Sequence, residues 1–179
     1  YFAVNPSSNL FGSILFITGR LNALGEAGAE AYLKKLAAQN VVSVPSSNRV
    51  MVDQLMAGEY HVCLDAFLHH PIISARKGAP VASLPFDPVI SVSSAVMLPN
   101  NVPHPHAAVL FIDYLLSRDG QGRLQGADYF PAHPEVRASP DLDKVVPSKI
   151  GLKENFLTPA KMDALRGKAT ELHEKLFTK

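Results

Sequence analysis

The sequence predicts an α/β fold with a mainly parallel sheet. In its first half, short apolar runs alternate with segments of helical periodicity, the pattern of strands joined by crossover helices. Gly, Asn and Pro punctuate most junctions between those segments. With 179 residues, 47% hydrophobic and 18% charged, the chain can build one domain, or two small lobes, around a real core.

The elements follow in order. "YFAV" (1–4) is a short apolar run closed by Asn5-Pro6. "GEAGAEAYLKKLAAQN" places Ala29, Tyr32, Leu33, Leu36 and Ala37 on one helix face. Residues 41–44 are strand-like. Met51, Val52, Leu55 and Met56 make a second helical stripe, which Gly58 ends at the C′ position. "YHVCLDAFL" alternates, with Val62, Leu64 and Ala66 opposite His61, Cys63 and Asp65. A helix through "ISARKG" and a strand over 81–84 come next. The β-branched stretch 87–98 reads as one long strand able to link two lobes. Pro105 starts a helix with Ala107, Phe111, Tyr114 and Leu115 on one face. After an irregular Pro-rich segment, Thr158-Pro159 caps a terminal helix striped by Met162, Leu165, Ala169, Leu172 and Leu176.

Charge and composition exclude several classes. Lys and Arg number 17 against 16 Asp and Glu, a net charge of +1, and no basic stripe is interleaved with aromatics. Nucleic acid is therefore not an expected partner. No apolar run reaches the roughly 18 residues of a membrane span. Cys63, the single cysteine, excludes an internal disulfide and a cysteine-based zinc site.

Two copies of "PSSN" each follow an apolar run: Pro6-Ser7-Ser8-Asn9 and Pro45-Ser46-Ser47-Asn48. Ser and Asn at a helix start are ordinary N-caps. At the carboxyl ends of parallel strands, the same positions also suit a polar or anionic ligand. "AFLHH" (66–70) occupies a third strand end. Adjacent His69 and His70, with Asp65, allow a metal-dependent enzyme as the rival reading. Neighbouring side chains should diverge, however, and no HExxH-type spacing supplies further ligands. No GxSxG, paired carboxylates or phosphate-binding glycine loop occurs. No catalytic residue, resident metal or cofactor is expected.

Four stretches carry a likeness: "GEAGAEAYLKKLAAQN", "VMVDQLMAGEYHVCL", "KGAPVASLPFDPV", and "PHPHAAVLFIDYLLSRDGQGRL" followed by "DYFPAHPEV". Together they resemble the second half of bacterial extracellular solute-binding proteins of ABC importers, family 1 and the iron(III)-type group. The resemblance implies a type II periplasmic-binding-protein fold, exported to the periplasm, that closes on a small solute by hinge motion and works with the importer's membrane subunits. It also implies that 1–86 form the second ligand-binding lobe, 87–98 the returning hinge strand, and 99–179 helices packed on the first lobe. The family's N-terminal half is expected to be missing. The stripes Phe111/Tyr114/Leu115 and Met162/Leu165/Leu172/Leu176 would then be uncovered and favour a dimer or a domain swap.

Iron-binding members are similar in a tyrosine pair on the loop that here reads "FLHH". Without tyrosines, this loop suits a small polar or anionic organic solute better than iron. The expected ligand contacts are Ser7, Ser8, Ser46, Ser47 and Asn48, with Phe67 as an apolar wall beside His69 and His70. Ser93 and Ser94 on the hinge strand complete the set.

Overall fold

Parallel strands cannot be joined by a tight turn, so the first half of the chain is built from crossovers. The computed structural model describes residues 2–4, 13–44 and 46–178. Strands β1 (Phe2–Val4), β2 (Val41–Ser43) and β3 (Val62–Cys63) form one parallel sheet in the order β2-β1-β3. Val4 lies opposite Ser43, and Ala3 opposite Cys63. The carboxyl ends of all three strands therefore share one edge. Helix α1 (Ser13–Ala37) connects β1 to β2, and α2 (Asn48–Met56) connects β2 to β3. Helix α3 (His69–Arg76) follows β3. A second parallel pair joins β4 (Val89–Ser91) to β5 (Glu154–Phe156), and α7 (Pro159–Phe177) comes after it.

The chain divides into two compact units. One comprises Tyr1–Ser91 with Leu152–Lys179, the other Val92–Gly151.

The core of the first unit is the contact between α1 and α7. Phe16, Ile17, Leu21, Ala29 and Leu33 of α1 are buried with Ala169, Leu172 and Phe177 of α7. α1 is broken at Gly25, whose φ of 69° and ψ of 175° lie outside the helical range and suit a residue without a Cβ. Ion pairs cross the same contact, Lys168 to Glu26 at 2.9 Å and Lys175 to Glu30 at 3.0 Å. Both advance in the same direction along each helix, so α7 runs parallel to the second half of α1. Towards β4, Gly19 permits close approach: an added Cβ would meet Ile90 Cγ1 at 2.5 Å. Asn155 Nδ2 donates to the Gly19 carbonyl at 2.9 Å. Arg20, flanked by the Phe16 and Tyr32 rings at 5.3 and 5.7 Å, donates to the Pro88 carbonyl at 3.3 Å.

In the second unit, α4 (Pro105–Leu116) turns directly into α5 (Arg118–Gly126) at Ser117, whose hydroxyl accepts from Gly120 N at 3.2 Å. A Cβ on Gly120 would sit 2.1 Å from the Tyr114 carbonyl oxygen, so the elbow requires glycine. Gln121, only 4% exposed, clamps it: Nε2 donates to Leu115 O at 2.8 Å, and Oε1 accepts from Ala132 N at 2.6 Å. The "SRDGQ…YFPAH" signature is thus a structural joint. Helix α6 (Pro140–Asp143) buries Leu142.

Several expectations change. Residues 81–84 form no strand, and within 87–98 only β4 is strand. The expected strand through "YHVCLDAFL" contracts to β3. An apolar run becomes a strand only where a neighbour completes its hydrogen bonds, and such a neighbour lies beside two or three residues of the second and third of these stretches and beside none of 81–84. The α7 stripe is not uncovered, since Leu172 is 0% exposed against α1. The α4 stripe does remain open: Phe111 is 61% exposed, and no residue of α4 is buried.

This contrast sets a prediction. Leu172→Ala should cost about 2–5 kcal/mol in urea unfolding, and Phe111→Ala should stay within about 0.5 kcal/mol. Equal losses would contradict the assignment of the core to α1 and α7.

Candidate functional site

A sheet ordered β2-β1-β3 has its switch point at the carboxyl ends of β1 and β3, where α/β folds open a crevice. The residues leaving that edge are the candidates. Ser7 and Ser8, which follow β1 in the sequence, lie outside the described residues.

The second "PSSN" is a helix start. Ser47 is the N-cap of α2, and its hydroxyl accepts from Val50 N at 3.3 Å. Ser46 Oγ donates to Gln54 Oε1 at 3.4 Å. Asn48 is 7% exposed and turns away from the helix: its Nδ2 donates to the Asp65 carbonyl at 3.0 Å. One turn of chain therefore both caps α2 and holds it against the loop that follows β3.

That loop carries an aromatic cluster. The Phe67 and His69 rings stack at 5.9 Å with 14° between their planes, and His70 is 6.2 Å from Phe67. The His69 and His70 centroids are 4.2 Å apart. The two imidazoles, both in the first turn of α3, thus converge where divergence was expected. Leu68, the N-cap, supplies no side-chain bond, and the first turn contains no acid.

Arg49 was not anticipated. It pairs with Asp53 one turn on, and its Nη1 donates to the His70 carbonyl at 3.4 Å. It is a second tie between α2 and α3. The i, i+4 Arg–Asp spacing directly after "PSSN" is the signal that could have marked it. The bond from Arg49 holds Asp53 below the usual carboxylate range. Burial, reinforced by the Arg49 charge, lowers His70 below the usual imidazole value against the pull of Asp53. The edge therefore presents His70, whose charged form is disfavoured, and a cation already balanced by a carboxylate.

Ser93 and Ser94 belong to the other unit, where they are exposed and outside any strand. Cys63 Sγ lies 3.8 Å from Asp65 Oδ1, and burial, with Asp65 adding to it, pushes the thiol up to about 12. Such a thiol is no nucleophile near neutral pH. Among the described residues, no three His, Cys, Asp or Glu side chains are grouped to hold a metal ion, so His69, His70 and Asp65 do not assemble a centre.

Comparison with known proteins adds one match. The family described as bacterial extracellular solute-binding protein matches residues 2–154. Neither a curated protein nor a solved structure matches the chain. No helix among the described residues is long and apolar enough to cross a membrane.

Two outcomes follow from the local geometry. Ser47→Ala should cost about 1 kcal/mol and Ser47→Gly only a few tenths, since glycine is itself tolerated at an N-cap. Cys63 in the native protein at pH 8 should react with a disulfide reagent at least about a hundredfold more slowly than in urea, because so little of it is thiolate. Equal rates would contradict its burial.

Proposed function

We propose, for a chain that belongs to the bacterial extracellular solute-binding proteins and so serves as a binding component of ABC transport, that it captures a small polar or anionic solute at the carboxyl edge of the β2-β1-β3 sheet. Capture proceeds by binding and closure, without catalysis. The observation that supports this site is the double tie from Asn48 and Arg49 to the Asp65 and His70 carbonyls, which holds the start of α2 beside the Phe67–His69–His70 loop.

Each group then has a role. Ser46 and Ser47 offer hydroxyls that donate and accept, and Asn48 fixes the turn that carries them. Two helix starts without first-turn acids favour negative charge or electron-rich oxygens on the solute. Phe67 forms the apolar wall, and His69 and His70 donate or accept according to tautomer. Ser7 and Ser8, which follow β1 in the sequence, are proposed as further contacts.

In this proposal residues 1–86 are the ligand-binding lobe, 87–98 the crossover on which closure turns, and 99–179 the return segment, although α7 packs on α1. In the working receptor a first lobe or a second copy covers the open face of α4. The family implies an extracytoplasmic location and the importer's membrane subunits as partners.

A thermal-shift screen with amino acids, organic acids and inorganic anions tests the reading. One class should raise Tm by about 5–10 °C at a hundredfold excess over its Kd. That rise should disappear in Phe67→Ala while the variant still unfolds cooperatively. Failure of every class to shift Tm, or turnover of a solute, contradicts the proposal. Stoichiometric metal in the purified protein, lost in His69→Ala, would support the rival metal centre.

A further inference from the structure

One titratable ring lies inside the contact that holds α7 on α1. Leu172 and Ala169 are fully buried in that contact, in the cluster that contains Ala29 and Leu33 of α1. The next side chain on α7, His173, is 6% exposed. Its ring stacks on Phe177 with centroids 6.1 Å apart and 28° between the planes. Its Nδ1 is buried and has no hydrogen-bond partner among the described residues. We propose that His173 is an acid-sensitive latch: neutral, it lets α7 dock on α1, and protonated, it releases the helix.

The surrounding charges decide the direction. On α7, exposed Glu174 is the neighbour that favours a proton on the ring, and Glu171 is engaged by Lys168 at 3.1 Å. From α1, Glu26 is paired with Lys168 and Glu30 with both Lys34 and Lys175. Strand β2, which also packs on α7, contributes Val41, Val42 and Ser43, none of them charged. Among the described residues no carboxylate hydrogen-bonds Nδ1, and burial prevails over Glu174 and lowers the imidazole below its usual value. The folded protein then binds fewer protons at this site than the unfolded chain. Docking is complete above an unfolded imidazole value of about 6.5 and is lost as pH falls below it.

Release has a structural consequence. α7 covers Ile17, Leu21 and Leu33 and follows directly on β5, so undocking exposes the apolar cluster of the first unit. Acid would therefore open this unit from its C-terminal helix.

The test is hydrogen exchange of α7 amides in the full chain at about pH 5 and pH 7.5, corrected for the intrinsic rate. In the wild type, the opening constant should rise by up to about tenfold for each pH unit below 6.5. His173→Gln, which cannot titrate, should remove this rise. His70→Gln, which eliminates another imidazole lowered by burial, should leave it intact. The proposal is overturned if His173→Gln keeps the acid response or His70→Gln abolishes it. Should His173→Gln fail to fold, imidazole titration by NMR in the wild type decides instead. Titration of His173 below about 6.5, in step with α7 exchange, supports the latch. Titration at or above that value overturns it.

Discussion

Everything in the first unit depends on β1 pairing in parallel with strands on both of its sides. A parallel ladder forces each connection to travel the length of the sheet and return, so strand length, helix position and site location are coupled. With Val4 opposite Ser43 and Ala3 opposite Cys63, three chain segments leave one edge together. Two of them lead through short loops into helices α2 and α3. The partial positive charge of those helix starts, and the side chains that cap them, are thereby delivered to one place without long-range design. An antiparallel β1 would have sent its own carboxyl end to the opposite edge of the sheet, away from the starts of α2 and α3.

The sheet itself is short, and the apolar burial that steadies it comes from helices. α7 supplies much of that burial by packing on α1, while Arg20, Asn22 and Asn155 connect the helix pair to β4 and β5. Polar atoms do the positioning and apolar faces supply the stability. The same division recurs at the candidate site, where Asn48 and Arg49 spend their donors on backbone carbonyls of the facing loop. In the proposed function the ligand-facing role falls to hydroxyls, imidazoles and one phenyl ring. The Arg49 charge there is balanced by Asp53, so the proposed site relies on hydrogen-bond geometry and helix dipoles to select its solute.

How much of this was legible in the sequence varied with the range of the interaction. Helix ends were readable, because their signals are local: Pro105 at N1 of α4, Thr158 capping α7, and Gly58 with φ 82° after α2 all stand where the pattern put them. Strands were not, because pairing is a property of two segments. Residues 92–98 carry Val92, Val96, Met97 and Leu98 yet form no strand, and "ENF" has no strand pattern but becomes β5 by lying beside β4. At the site, Ser47 was visible as a cap. The reach of Asn48 to Asp65, seventeen positions away, was not. The signature "SRDGQ…YFPAH" was recognisable by resemblance, but its cause is the elbow that Gly120 and Gln121 build.

The central claim is that the starts of α2 and α3 form one binding edge. Amide chemical-shift mapping by two-dimensional NMR, with the solute that stabilises the protein, addresses it most directly. The account predicts that the largest perturbations fall together in residues 46–50 and 66–70. Perturbations confined to α4–α6, or present in one of those two segments without the other, would contradict it.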